Sequence, residues 1–239
     1  MPLPKIATPT YELELPSSGQ PIKYRPFLVK EEKLLVLALE SEDTKQITNA
    51  IKTVIKNCIE TKNVKVETLP TFDIEYLFLN IRAKSIGEEI EVNIICPDDD
   101  ETTVPVKIDV DDIKVEKNSE HDKKIKVDDS IMMEMKYPSL DQFIKNNFDF
   151  AQQNSVDQSF DLIASCIDKI YTEEEVWAAP DLSKKELVDF LEQMNSFQFK
   201  QIEQFFETMP KLSHKINVKN PNTEVESEVV LEGLSSFFA

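Results

Sequence analysis

Glycine and histidine are scarce in this chain, and their scarcity disfavours several kinds of chemistry. The 239 residues include only three glycines, at Gly19, Gly87 and Gly233, and two histidines, at His121 and His214. Nucleotide-binding loops need glycines, because only a backbone without side chains can approach a phosphate closely. Nucleophilic catalysis commonly needs a histidine base beside the nucleophile, and no G-x-S-x-G motif occurs. We therefore expect no enzymatic activity and two solvated surface histidines.

Positive charge is also in short supply. The formal net charge is −18, and Arg25 and Arg82 are the only arginines. Nucleic-acid binding draws its affinity from clustered Lys and Arg, and an anionic membrane surface repels an acidic chain. No apolar run approaches the roughly 20 residues of a transmembrane helix, and the first ten residues lack the apolar core of a signal peptide. The expected protein is soluble and cytoplasmic, and it binds neither nucleic acid nor membrane.

The three cysteines, Cys58, Cys96 and Cys166, lie far apart in the sequence. An odd number without close spacing does not make a disulfide framework, so we expect reduced thiols. Cys58 and Cys166 fall on apolar faces of helical patterns, which predicts that they pack as small hydrophobes.

Cys96 precedes Pro97 at the tip of a predicted hairpin, where a zinc knuckle would begin. Asp99 stands where the second cysteine should follow, and the matching hairpin carries Asn220 and Thr223. We therefore predict no metal and no cofactor. The run from Asp98 to Glu101 is expected to be a solvated acidic turn.

Hydrophobic periodicity divides the first part of the chain into a hairpin and three helices. In the first helix it predicts burial of Leu34, Leu35, Leu37 and Ala38. Asp43 or Thr44 caps the second helix, and Gly87 ends the third. The expected strands are 11–15 and 22–27, and the expected helices are 30–40, 44–60 and 72–85.

The rest of the chain alternates between strand and helix patterns. A second hairpin surrounds the Cys96 tip, and Ile113, Val115, Ile125 and Val127 suggest exposed edge strands in the acidic stretch 109–129. Residues 132–137 indicate another strand. Ser139 is expected to cap a helical block that continues through 156–171, 184–194 and 197–209, and a third hairpin covers 214–230. The phenylalanines of this block are expected in the core, and they are Phe143, Phe148, Phe150, Phe160, Phe190, Phe197, Phe199, Phe205 and Phe206.

These elements indicate an α+β fold with two helical blocks, each followed by an antiparallel hairpin, plus the N-terminal hairpin. Aligning Pro97 with Pro221 matches Val92 with Ile216 and Ile94 with Val218, which is a weak internal repeat. We expect four segments. They are 1–87, a hairpin and three-helix unit; 88–137, acidic and β-rich; 138–210, a helical block; and 211–239, a hairpin and tail.

Three stretches carry a resemblance to a known family. They are Lys23 to Glu32 (KYRPFLVKEE), Asp73 to Gly87, and Leu231 to Leu234 with Phe237 and Phe238. Here the chain resembles the baseplate hub subunit family of T-even-type contractile-tailed bacteriophages. The resemblance implies a role in building the hub, without enzymatic activity. Relatives in that family carry cysteine pairs at the hairpin tips, where this chain has only Cys96.

The functional expectation follows from the resemblance and from the missing catalytic motifs. The leading hypothesis is a hub subunit or hub assembly factor that binds other baseplate hub and tail proteins, in the host cytoplasm during assembly and in the virion tail. The alternative is a transient tail assembly chaperone, because the N-terminal layout also resembles that group. A carboxylate-based hydrolase ranks third. The oligomeric state is left open, and the expected partner-binding residues are Tyr24, Arg25, Phe27, Leu234, Phe237 and Phe238.

Overall fold

A computed structural model describes residues 6–139 and 155–237. Its helices are α1 (Val29–Glu40), α2 (Thr44–Cys58), α3 (Thr71–Ile86), α4 (Ser155–Ser165), α5 (Lys184–Glu192) and α6 (Ser196–Thr208). Its strands are β1 (Tyr11–Glu14), β2 (Pro21–Tyr24), β3 (Glu89–Ile95), β4 (Thr103–Asp109), β5 (Lys114–Glu116), β6 (Lys124–Lys126), β7 (Met132–Met135), β8 (Ile167–Tyr171), β9 (Val176–Ala178), β10 (Lys211–Lys219) and β11 (Glu226–Glu232). No helix within the described residues is long and apolar enough to cross a membrane.

The described chain forms two compact units. Unit 1 holds residues 6–66, 72–116 and 211–237, and unit 2 holds 67–71, 117–139 and 155–210. The α+β class expected from the sequence is confirmed, since helices accompany four small antiparallel sheets. The four-segment division stays a prediction.

The N-terminal part of unit 1 follows the predicted pattern closely. Strands β1 and β2 pair as a hairpin, and the carboxylate of Asp43 accepts the backbone N–H groups of Lys45 and Gln46 to begin α2. Gly87 adopts a φ of 126° directly after α3 and donates its N–H to the carbonyl of Ala83, 3.1 Å away. The apolar stripe of α3 is buried, and each such side chain contributes about 1.5–3 kcal/mol. Its members are Ile74, Leu77, Phe78 and Ile81.

Two hairpins supply most of the remaining core of unit 1. Strands β3 and β4 pair with each other, while β10 pairs with β11 on one side and with β5 on the other. Alternate residues of each hairpin face one shared hydrophobic cluster, as the period of two requires. The cluster includes Ile90, Val92, Ile94, Ile108, Leu212, Ile216, Val218 and Leu231.

Unit 2 packs helices against a four-stranded sheet of order β6-β7-β8-β9. Two of its helices begin with capping boxes, in which the first side chain bonds to the third residue of the helix and the third side chain bonds back. Ser183 and Glu186 form this pair in α5, and Asn195 and Gln198 form it in α6. Its core includes Met133, Met135, Cys166, Ile167, Leu187, Leu191, Ile202 and Phe205.

Two predictions about elements need correction. The helix expected through residue 171 ends at Ser165, and β8 follows because β7 and β9 pair with it on either side. The edge strands β5 and β6 exist, but Ile113, Ile125 and Val127 are buried rather than exposed. The burial comes from packing against residues distant in sequence, which local alternation does not reveal.

The phenylalanines of the helical block were expected in the core. The expectation is confirmed for five of the six that the structure describes. Phe205 is buried, and Phe160, Phe190, Phe199 and Phe206 pack against the unit 2 core. Phe197 is the exception, since 75% of it is exposed. The helix expected after Ser139, with Phe143, Phe148 and Phe150, lies outside the described residues.

Candidate functional site

Two exposed apolar surfaces stand out, one in each unit. In unit 2 a groove of about 260 Å³ opens beside β9, which is the edge strand of its sheet. Trp177, the only tryptophan of the chain, lines the groove and pairs with Ile170 of β8. The other lining residues are Ile131, Ile170, Thr172, Leu182, Glu186, Leu187 and Phe190.

An acidic, exposed turn joins Thr172 and Trp177, which both line this groove. Glu173, Glu174 and Glu175 form the turn between β8 and β9, and all three are exposed. Val176 and Trp177 follow directly, with 66% and 38% of their surfaces exposed. An exposed tryptophan beside an apolar groove is typical of protein-binding sites, in which a buried aromatic anchor supplies much of the affinity. We call Val176, Trp177 and the groove residues the Trp177 groove.

In unit 1 the second surface is the outward side of α1. Ala38 and Glu31 are buried, whereas apolar side chains elsewhere on the helix are exposed. The predicted burial of Leu34 and Leu37 is therefore wrong, and Leu35 is half-buried. The exposed fractions are 36% for Leu34, 47% for Val36, 54% for Leu37 and 54% for Leu39.

An ion pair holds the start of α1. The guanidinium of Arg25 lies 3.1 Å from Oε1 of Glu31, and both side chains are largely buried. Glu31 also accepts the backbone N–H of Leu28, which begins the helix. Burial alone would raise the pKa of Glu31, but the Leu28 N–H and Arg25 outweigh it and lower that pKa below its ordinary value. Arg25 also donates to the carbonyls of Pro26 and Asn57, so it anchors α1 to the end of α2.

The tips of the two unit 1 hairpins meet. At one tip Asp100 donates its N–H to the carbonyl of Cys96, and at the other Glu224 donates to Asn220. Asp100 and Glu224 both have positive φ, at 55° and 62°. The two turns therefore share one backbone shape, as the Pro97–Pro221 alignment predicts.

A polar network links these tips. The amide of Asn220, a fully buried residue, donates to both carboxylate oxygens of Asp98 and to Oδ2 of Asp99. The Thr223 hydroxyl also donates to Asp98. Hydrogen bonds from Thr223 and then Asn220 lower the pKa of Asp98, and those from Thr102 lower the pKa of Asp99. The turn was expected to be solvated. Asp98 is exposed, but its carboxylate also accepts hydrogen bonds from the other hairpin.

The cysteines behave as buried thiols. Cys58, Cys96 and Cys166 are free, and each is at most 1% exposed. Burial raises the pKa of Cys58 to about 11 and that of Cys166 to about 12. Within residues 6–139 and 155–237, no group of three or more His, Cys, Asp and Glu side chains is placed to hold a metal ion.

The prediction of a solvated surface histidine is wrong for His121. Its ring packs against Tyr137 and Phe205, with centroids 5.5 and 5.1 Å away, and Nδ1 lies 2.9 Å from the hydroxyl of Thr208. Burial lowers the pKa of His121 below its ordinary value. His214 lies in β10 and is half-buried.

The structure does not gather the expected partner-binding residues on one surface. Tyr24, Phe27 and Phe237 are buried in unit 1, Arg25 is occupied by its ion pair, and Leu234 is half-buried. Phe238 lies outside the described residues. A partner-binding role for these residues stays a prediction.

Sequence reasoning missed Trp177 and the outward side of α1. Two signals were available: the single tryptophan lies two residues after a run of three glutamates, and six consecutive apolar residues occupy positions 34–39. An amphipathic surface helix has polar residues on one side, whereas six consecutive apolar residues place apolar side chains on every side of the helix. Such a run in a surface helix indicates a second contact.

Comparison with protein families gives a match over nearly the whole chain. The model of the T4 bacteriophage base plate protein family matches residues 8–239. The chain belongs to this family. No curated protein and no solved structure matches the chain. Family membership makes it a phage baseplate protein, and this supports a place in the virion tail and contacts with other baseplate or tail proteins.

Proposed function

We propose that this baseplate protein is a non-enzymatic hub subunit or hub assembly factor that binds other tail proteins. The observation that carries the proposal is the family match over residues 8–239. The buried thiols support a non-enzymatic role, because a raised pKa disfavours the nucleophilic thiolate. His121 packs against two aromatic rings, which favours a packing role.

The Trp177 groove supplies a contact surface suited to this role. A partner of matching chemistry would insert an apolar side chain beside Trp177 and place Lys or Arg near Glu173, Glu174 and Glu175. Opposite charges at the rim steer association, while the apolar anchor determines how long the complex lasts. No strand of the described residues pairs with the outer edge of β9, so its backbone groups can pair with an extended segment of a partner.

The groove fits the third-ranked hypothesis, a carboxylate-based hydrolase, poorly. Such an enzyme needs two carboxylates with separated pKa values in one pocket. Among the described residues that line the groove, the one carboxylate is Glu186, which caps α5 by accepting from Ser183. These bonds lower the pKa of Glu186, and a general acid needs the opposite shift.

The test is capture of tail proteins from infected cells on the full-length tagged chain, followed by mass spectrometry. We expect hub or tail proteins on the wild-type chain and at least tenfold less on Trp177→Ala. Phe197→Ala is the matched control, because Phe197 is an exposed aromatic residue of the same unit. It should capture as much as the wild type. Equal capture by both variants would remove the groove from the interface, and no tail protein on any chain would overturn the proposed function.

Mass spectrometry of purified virions separates the subunit from the transient chaperone. A hub subunit remains in the finished particle in stoichiometric amounts. A chaperone is abundant in infected lysate and absent from the particle.

A further inference from the structure

We propose that the outward side of α1 binds the same side of a second copy of this chain, in an antiparallel pair. The surface is defined by Val29, Lys33, Val36, Leu37 and Glu40, flanked by Leu34 and Leu39. Val29, Lys33, Val36 and Glu40 are spaced by three or four residues, and Leu37 lies four residues after Lys33, so the five positions form one stripe along the helix. The proposal concerns unit 1 alone and does not depend on the Trp177 groove.

The apolar side chains of this stripe are exposed. Val29, Val36 and Leu37 are 79%, 47% and 54% exposed, on the side opposite the buried Ala38 and Glu31. A helix that is apolar on every side is normally covered on every side. In the described chain α2 packs against α1, and the stripe remains open.

The charges on the stripe identify the occupant. Lys33 lies one turn before the Val36–Leu37 centre, and Glu40 lies one turn after it. In an antiparallel pair with its twofold axis beside Val36 and Leu37, Lys33 of each copy stands level with Glu40 of the other. Val36 and Leu37 of both copies then meet at the axis, and a Lys33–Glu40 pair lies on either side of them. A parallel pair would instead oppose like charges at both positions.

Both charges are available for such pairing. Lys33 and Glu40 are exposed, and neither forms an ion pair among residues 6–139 and 155–237. A self-complementary stripe is what a twofold interface requires, because the same patch must fit itself. One 12-residue helix offers less than the roughly 800 Å² per partner of a standard stable interface. The expected dimer therefore dissociates on dilution.

Sedimentation equilibrium of the full chain tests the pairing over a wide concentration range. We expect the average mass to rise from one chain to two, and Leu37→Asp to remain a monomer throughout. Leu37 is half-exposed, so its replacement should leave the fold intact. Val230→Lys is the matched control, since Val230 is a similarly exposed apolar residue on β11, and it should dimerise like the wild type.

Charge exchange tests the antiparallel arrangement. Lys33→Glu and Glu40→Lys should each weaken the dimer about tenfold, because each places like charges together at two symmetric positions. The double variant Lys33→Glu/Glu40→Lys restores opposite pairs and should return to within about twofold of the wild type. Failure of the double variant to recover would overturn the proposed arrangement.

Cysteine cross-linking gives an independent readout. Val36→Cys lies beside the axis, so it should form a disulfide between two copies on mild oxidation. Val29→Cys should not, because its two copies would be about 22 Å apart at 1.5 Å per residue, and a disulfide needs about 6 Å between Cα atoms. The native cysteines are buried, so they should not interfere.

Three results would overturn the inference. One is a monomer at every concentration, and another is a dimer that survives Leu37→Asp. The third is loss of a tail protein from the Leu37→Asp chain without any wild-type dimer, which would assign the surface to that protein instead.

Discussion

Asn220 and Asp98 lie 122 positions apart in the chain, and the amide of Asn220 donates to the carboxylate of Asp98 across 3.0 Å. The bond joins the tips of two hairpins that face one hydrophobic cluster. Asn220 is fully buried, so its amide depends on these carboxylates for its hydrogen bonds. Zinc knuckles join hairpin tips through thiolates bound to metal, and here hydrogen bonds connect the tips.

Replacing Asn220 should destabilise unit 1 measurably. Asn220→Ala removes the bonds to Asp98 and Asp99 and leaves two carboxylates close together without the shared donor. We expect a loss of about 2 kcal/mol in the free energy of unfolding, the range for buried bonds to charged groups. Urea unfolding followed by circular dichroism measures it. Asn217→Ala, at an exposed position of β10 just before the tip, is the control and should change stability by less than about 0.5 kcal/mol. Equal effects of the two variants would contradict a stabilising network.

The pH dependence of stability should carry the signature of Glu75. Its Oε1 accepts the backbone N–H of Leu234 at 3.1 Å, and burial raises its pKa to about 7 although that N–H opposes the shift. The folded state therefore holds the proton more tightly than the unfolded state. The contribution of Glu75 to the free energy of unfolding is therefore greatest below about pH 4.5, which is the ordinary pKa of the group. This contribution falls as the pH rises to about 7, and it stays constant above that.

Glu75→Gln should remove this dependence. The amide oxygen can still accept the Leu234 N–H, and no charge needs to be buried at high pH. We expect the variant to gain on the order of 1–3 kcal/mol over the wild type at pH 8.5 and little at pH 5. Urea unfolding at the two pH values measures the difference. Glu91→Gln, at an exposed position of β3, should show no such gain. A Glu75→Gln chain that is less stable than the wild type at pH 8.5 would contradict the raised pKa.

Phe237 should prove to be a core residue. It is 1% exposed and belongs to the cluster that the two hairpins share. Phe237→Ala should cost about 3 kcal/mol, from lost apolar burial and the cavity left behind. Chemical unfolding measures it, with Ser236→Ala as the neighbouring control. If Phe237→Ala leaves stability unchanged but weakens partner capture, the sequence-based prediction of a contact residue is right after all. Deleting residues 234–239 would not separate these roles, because it also removes the bond to Glu75.

Local signals located most elements because their causes are local. Asp43 caps α2, Gly87 ends α3, and alternating residues form three hairpins, each from interactions within a few positions. The strand β8 was missed because Ile167 and Ile170 fit a helical spacing as well as a strand. Pairing with β7 and β9 decides between them, and those strands lie elsewhere in the chain.

The sequence by itself determined the acidic character, the α+β class, the positions of the hairpins and the resemblance to a baseplate family, because composition, periodicity and motifs are properties of neighbouring residues. Only the tertiary structure decided which residues face solvent. Tyr24, Phe27 and Phe237 are buried, whereas Leu37 and Trp177 are exposed. Burial depends on what distant segments cover, so an apolar side chain has the same local pattern in a core and at a contact surface. The scarcity of glycine and histidine remains the plainest feature of the chain, and the structure adds two exposed apolar surfaces, which are the contact sites that we propose.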